Sequence, residues 1–409
     1  MEDRRPHLVV YTHVFPNQVQ PTYGVFVRER MFRVAKDLPV TVVAPVPWFP
    51  GQALLRRLRA HYRPEPPYHE VQQGIDVYHP RFLSIPRFFK FTDGLFEALF
   101  TWPLMRRLKR EGRLDLIDAH FVHPDGVAAW LLGSWLRVPH TITLRGTILR
   151  ISKTRLRRWL ATRAMKQAAR VFSVADSLRQ TAITMGVSPN HVQVVSNGIN
   201  LEFFQPEDRQ ACRQRLGIPV DAQVLITVGT LNERKGFHRV IEQMPTLLQR
   251  YPNLLYLAVG GENPDGDKQR LLDLAASLGV EDRVIFAGQQ PPEALRHYYC
   301  AADLFVLPTR FEGWANVFLE AAACGLPTVT TRVGGNAEVI SSPTLGRLVP
   351  LGDGEALREA ITTALEEPWD HEAIIAHARA NAWEQRIPEL LIAFDALTTA
   401  QTRREEAGT

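Results

Sequence analysis

Residues 223–236 read QVLITVGTLNERKG. A β-branched apolar run ends on a glycine, a polar loop with two adjacent cations follows, and a second glycine opens a helical pattern. That is the strand, loop and helix rhythm of an α/β sheet. Toward the C-terminus it recurs, with strands at 254–260, 283–287, 303–307 and 326–331 and helices at 236–250, 266–279, 292–300, 315–324 and 354–366. Toward the N-terminus, residues 201–222 turn polar between Pro206 and Pro219 and read as a linker. Before it the same rhythm runs through strands at 7–14, 39–44, 114–119, 139–144, 170–174 and 191–195, with helices near 23–37, 93–110, 124–136, 152–169 and 175–186. Strands separated by helices imply parallel pairing. The expected fold is therefore α/β, with two Rossmann-like domains facing each other across a cleft. Their expected bounds are 1–203 and 204–385, with a helix at about 386–402 packing back on the first domain. Residues 48–90, rich in proline and aromatics, read as an elaborated loop region.

The composition agrees with that size. The chain has 409 residues, 45% hydrophobic and 22% charged, which excludes wholesale disorder and suits two or three domains. No apolar run reaches the length of a membrane span. The N-terminus lacks a secretory pattern, and Cys212, Cys300 and Cys324 form neither a disulfide framework nor a CxxC pair. A cytoplasmic chain is expected. Charge is split unevenly: residues 1–200 carry 29 basic and 14 acidic side chains, a net of +15, and the remainder nets −10. Two halves with different partners explain such a split, and so do solvated helix faces.

Ligands of doubly wound sheets sit at the carboxyl ends of strands. The segment 311–331, FEGWANVFLEAAACGLPTVTT, puts Glu312 in a strand-to-helix loop and Glu320 inside the helix. Between them Gly313, Trp314, Ala315, Asn316 and Val317 would present free backbone N–H groups at the helix start. Carboxylates at both ends of such a cradle can accept hydrogen bonds from sugar hydroxyls and a ribose diol, although two glutamates alone also read as surface charge. Arg234 and Lys235, in 228–236, could meet a phosphate or form an exposed basic turn. The turn 332–338, RVGGNAE, is open between structure and ligand.

In the first half, His120 follows a strand and suits either a polar cleft or a buried, satisfied position. Gly24, Arg145 and Asn197 lie in loops at strand ends. His120 and His123 lack further metal ligands, and Asp265-Gly266-Asp267 reads as a surface turn, so no metal is expected. No GxGxxG follows the first strand and no GxxxxGK[ST] occurs, which argues against a classical dinucleotide site and a P-loop.

Taken in order, TYGVFVRER, DAHFVHPDG, LRGT, SNGIN, GTLNERKG, FEGWANVFLEAAACGLP and GGNAEV resemble the retaining glycosyltransferases of family 4 (glycosyl transferases group 1), which have the GT-B fold. The E-x7-E segment at 312–320 is the most specific, and the opening THVFP resembles the branch serving bacterial exopolysaccharide and cell-wall polymer assembly. The resemblance implies a nucleotide-diphosphate sugar as donor, bound by the second domain without metal or cofactor. It implies Glu320 on the ribose, Arg234 and Lys235 at the pyrophosphate, and Glu312 with the backbone of Gly313–Val317 on the transferred sugar. Gly24 would belong to a loop over the phosphates, with Arg145 and Asn197 as further donor contacts and His120 beside the sugar. Thr230 replaces the arginine usual there, and Trp314-Ala315 replaces the usual Phe-Gly.

A glycan or lipid-linked acceptor would meet the basic first domain. The rival readings are a nucleotide-sugar 2-epimerase of the same architecture and a non-catalytic polyanion- or membrane-binding protein. The basic runs 55–63, 106–113 and 150–170, with the aromatic segment 82–105 among them, point to an anionic membrane surface. No recognised module supports nucleic-acid binding.

Overall fold

A computed structural model describes residues 5–54, 65–85, 89–262 and 267–407. The basic run 55–63, Pro86–Phe88 of the aromatic segment, and Asp265 and Gly266 lie outside these residues. Chain contacts divide the protein into two units, Met1–Asn197 with Arg386–Thr409, and Gly198–Gln385.

The first unit is built on an eight-stranded sheet. Its strands are β1 (Leu8–Tyr11), β2 (Val40–Val43), β4 (His69–Gln72), β5 (Ile75–Tyr78), β7 (Leu116–His120), β8 (His140–Leu144), β9 (Arg170–Ser173) and β10 (Val192–Val194). Their order is β10-β9-β8-β7-β1-β2-β5-β4. All neighbours are parallel except β4 and β5. Strands β3 (Val46–Trp48) and β6 (Arg81–Leu83) form a separate parallel pair. The parallel strands read as continuous apolar runs because helices cover them.

Helix α1 (Val25–Val34) follows β1. Helices α2 (Asp93–Arg110) and α3 (Val127–Leu136) pack Ala98, Leu104, Met105, Leu108, Ala128 and Leu132 against Val9, Tyr11, Ile117 and Ala119. Helix α4 (Arg155–Gln167) precedes β9, and its basic face is mostly exposed. The antiparallel β4–β5 hairpin falls in the region read as loop. Its turn uses Gln73 at φ 50° and Gly74 at φ 81°, and Gln-Gly is a weaker turn signal than Asn-Gly.

The second unit holds a six-stranded parallel sheet of β11 (Val224–Val228), β12 (Leu255–Val259), β13 (Val284–Gly288), β14 (Leu304–Leu307), β15 (Thr328–Thr331) and β16 (Gly346–Val349). The order is β13-β12-β11-β14-β15-β16. Alternation along β11 sends Val224, Ile226 and Val228 into one apolar core and Leu225 into the other, so both faces are buried. Strand order reverses between β11 and β14. In the first sheet it reverses between β1 and β7. Such switch points open crevices at the carboxyl ends of the strands.

The last helix, α5 (Trp383–Ala407), starts in the second unit, and from Arg386 onward it belongs to the first. There Phe394 meets Phe172 of β9 edge to face, with centroids 5.7 Å apart. The fold class is the expected one, α/β with two Rossmann-like halves.

Candidate active site

The switch point between β11 and β14 gathers the charged residues that the sequence singled out. After β11, Asn232 accepts a hydrogen bond from the Lys235 backbone N–H at 3.1 Å and shapes a single helical turn. Gly236 then takes φ 81°, and a Cβ there would lie 2.2 Å from the Pro308 carbonyl oxygen, so glycine alone fits. This contact draws the Arg234-Lys235 loop against the segment leaving β14. Arg310 N–H and the Thr309 hydroxyl both donate to the Arg234 carbonyl, at 2.8 and 3.0 Å.

Both cations then converge on one oxygen. Arg234 Nη1 donates to Glu312 Oε1 at 2.7 Å and Lys235 Nζ at 2.8 Å, and the Thr309 hydroxyl oxygen lies 3.1 Å from Oε1, a second acceptor within reach of the hydroxyl's one proton. The Glu312 side chain is 10% exposed, that of Lys235 11% and that of Arg234 34%. Burial lowers the Lys235 ammonium from its ordinary pKa, and the adjoining Glu312 carboxylate works against that fall. The result is a half-buried site with two cations and one carboxylate.

Two further elements complete it. Helix α6 (Asn316–Ala323) starts just after Gly313, Trp314 and Ala315, with no side-chain cap and no acidic residue in its first turn. Its first backbone N–H groups and dipole suit an anion or hydroxyls. The Gly-Gly turn, which the sequence left open, braces the carboxylate loop from behind. Gly334 takes φ 50°, a Cβ there would fall 1.9 Å from the Glu312 carbonyl oxygen, and Gly335 N–H donates to that oxygen at 3.3 Å.

Glu320, one turn and more into α6, is held by the Tyr299 hydroxyl at 2.9 Å. Burial pushes its carboxyl up to about 7, against the Tyr299 bond and the charge of Lys235. Tyr299 and Thr309 were missed by the sequence reading. Tyr299 sits in the core 21 positions before its partner, and no local pattern links the two.

The first-unit candidates are placed differently. His120 has no exposed surface. Its Nε2 lies 3.1 Å from Asp118 Oδ2, and Arg145 Nη2 lies 3.1 Å from its Nδ1. An arginine can only donate, so this arrangement assigns Nδ1 as acceptor and puts the ring proton on Nε2, the atom near Asp118. Burial lowers His120 to about 4 despite Asp118, and the ring is neutral near pH 7.

Arg145 and Asn197 were expected as polar tips. They are instead 5% and 3% exposed, and Arg145 Nη1 reaches Asn197 Oδ1 at 3.5 Å. The Arg145 guanidinium lies 4.5 Å from the centre of the Phe26 ring. Gly24 caps α1 at φ 80°, and a Cβ would meet the Val14 carbonyl oxygen at 2.4 Å, so this glycine serves a close backbone approach inside its own unit. His123 is 7% exposed, and burial lowers it to about 4. Asp267 Oδ2 accepts the Glu233 backbone N–H at 2.9 Å.

Comparison with known proteins adds the family. Residues 208–381 match the glycosyl transferases group 1, and residues 40–203 match glycosyltransferase family 4. The chain is 30% identical over 372 residues to TuaC of Bacillus subtilis (strain 168), a glycosyltransferase ascribed to teichuronic acid biosynthesis, covering 89% of each chain. This chain belongs to the family 4 glycosyltransferases. The transferase is also 30% identical to a D-inositol 3-phosphate glycosyltransferase of Saccharomonospora viridis, over 81% of this chain and 82% of that one. Among solved structures, sucrose-phosphate synthase from Thermosynechococcus elongatus gives a TM-score of 0.78 at 21% identity, covering 97% of this transferase and 100% of that chain. Anabaena HepE in complex with UDP gives 0.73 at 19% identity, covering 95% and 100%. These two likenesses establish the GT-B fold.

Proposed function

We propose that this transferase moves a hexose-type sugar, with retention of configuration, from a nucleotide-diphosphate sugar to a glycan or lipid-linked acceptor in polysaccharide biosynthesis. The observation that carries the reading is the convergence of Arg234 and Lys235 on Glu312 at a strand-order switch point. A diphosphate needs fixed cations and backbone N–H groups, and the two chain segments supply both. Glu312 keeps the cations paired and faces the transferred sugar. Glu320 accepts the ribose hydroxyls.

In the reaction the C1–O bond to the diphosphate breaks as the acceptor oxygen bonds C1 from the same face. The hydroxyl proton passes to the departing phosphate oxygen. Lys235, Arg234 and the start of α6 stabilise the charge left on the diphosphate. This chemistry asks for no covalent nucleophile, cofactor or metal at the donor site. His120 acts as a positioning residue, holding Arg145 from behind.

The UDP and UDP-glucose complexes of HepE support a uridine donor, and the likeness to TuaC supports a cell-wall polymer acceptor. The acceptor would be met by the basic first unit at the cytoplasmic face of an anionic membrane. Exposed Phe89, Phe91, Leu95, Leu99, Leu156 and Trp159 lie among exposed Lys153, Arg155, Arg158 and Arg163, a combination that suits interfacial binding. No helix among the described residues is long and apolar enough to cross a membrane.

The test is incubation with UDP-, GDP- and ADP-sugars and a lipid-linked glycan fraction, with the anomeric configuration of the product read by NMR. A new α-linkage from an α-linked donor supports the proposal. An inverted linkage removes retention, and epimerised donor without transfer favours the epimerase reading.

A further inference from the structure

The switch point of the first sheet, between β1 and β7, holds a second polar cluster. β1 ends at Tyr11 and His13 follows it; β7 ends at His120 and Asp125 follows that. Asp125 is fully buried and grips His13 twice. Its Oδ1 accepts the His13 backbone N–H at 2.6 Å, and its Oδ2 lies 2.7 Å from the ring Nδ1. From α2, Glu97 reaches the same place with no exposed surface, and neither of its carboxylate oxygens has a hydrogen-bond partner. One ligand-type atom from each of His13, Glu97 and Asp125 lies within 4.8 Å of the other two.

An unpartnered carboxylate in a protein interior is costly, so a proton or a cation must neutralise it. The nearby Asp118 shows what a satisfied one looks like here, bonded by Thr141 at 2.7 Å and paired with His120 at 3.1 Å. We infer that His13, Glu97 and Asp125 bind one divalent cation. One imidazole and two carboxylates form a nitrogen-oxygen donor set suited to Mn2+, Fe2+ or Zn2+. Two carboxylates balance a dication, which leaves the buried cluster neutral when filled.

Both Glu97 oxygens are available for chelation. The His13 N–H on Asp125 Oδ1 holds the other carboxylate in place, as outer contacts of metal ligands do. The His13 side chain is 26% exposed, which gives a cation an entry path and room for water ligands. The second unit has another such group, Glu207, Cys212 and His297, but there Glu207 already pairs with the Arg296 cation and with His297, at 2.5 Å each, and the group holds no unpartnered carboxylate like that of Glu97. The inference uses first-unit residues alone and stands whether or not the proposed donor chemistry holds.

The full-length protein, stripped with chelator, is titrated with Mn2+ at neutral pH while free Mn2+ is followed by electron paramagnetic resonance. One tight equivalent is expected. Glu97→Gln keeps the shape and loses only the charge, and should weaken binding about tenfold or more. His13→Gln should do the same, Glu207→Gln should change nothing, and circular dichroism shows that each variant is folded. A parent that takes up neither Mn2+ nor Zn2+ stoichiometrically overturns the inference. So does a folded Glu97→Gln that binds as tightly as the parent.

Discussion

The Tyr299 hydroxyl donates to Glu320 Oε2 at 2.9 Å, yet the carboxyl still titrates at about 7. Ribose hydroxyls bind the ionised form better, since a carboxylate is an acceptor only. Nucleoside diphosphate affinity should therefore fall as pH drops through 7, by about tenfold from pH 8 to pH 6 for a group titrating at 7. Isothermal titration at a series of pH values measures this, and Glu320→Gln should flatten the profile. The stability sign is opposite. A raised carboxyl favours the folded state below its ordinary range, and that contribution is lost as pH rises through about 7.

His120 fills a fully buried position between Asp118 and Arg145. His120→Ala leaves a cavity, takes the imidazole away from Asp118 and removes the acceptor of Arg145 Nη2. Losses of this kind reach about 3 kcal/mol. The melting temperature of His120→Ala should fall by several degrees, whereas Glu312→Gln, which keeps the side chain's shape and an accepting oxygen, should fall less. Calorimetry of both variants compares them. An unchanged melt for His120→Ala would show that its ring is dispensable to the fold.

The succession of strands and helices and the loops that carry Arg234, Lys235 and Glu312 were legible because each lies in a short run with its own period or glycine punctuation. The pairing of Arg234 and Lys235 with Glu312 was not, because it joins residues 78 and 77 positions apart across two strand ends. The sequence placed Arg145 and Asn197 correctly in loops at strand ends. It could not show that Phe26, His120 and their own contact would bury them. Gly334 was ambiguous for a similar reason, since its need for glycine comes from the Glu312 carbonyl oxygen, 22 residues earlier. Local rules find turns and periods. They miss what two distant loops do together.

Membrane attachment is tested by sedimentation with lipid vesicles. Binding should require anionic lipid and weaken as salt rises. It should fall when exposed Arg106, Arg107, Lys109 and Arg110 become Gln, and also for Leu156→Ser with Trp159→Ser, which removes exposed apolar surface. Protein that stays in the supernatant with every lipid at low salt would point to a soluble acceptor.

The central claim is that Arg234 and Lys235 form the diphosphate site and that Glu312 faces the sugar. Calorimetric titration with nucleoside diphosphate tests it most directly, in parent, Lys235→Ala and Glu312→Gln. Lys235→Ala removes a charge-assisted bond worth about 1.5–3 kcal/mol, so affinity should drop roughly tenfold or more. Glu312→Gln frees both cations from their carboxylate, so affinity should hold or rise while turnover collapses. A Lys235→Ala variant that binds the diphosphate as tightly as the parent, or a Glu312→Gln variant that loses it, would contradict the account.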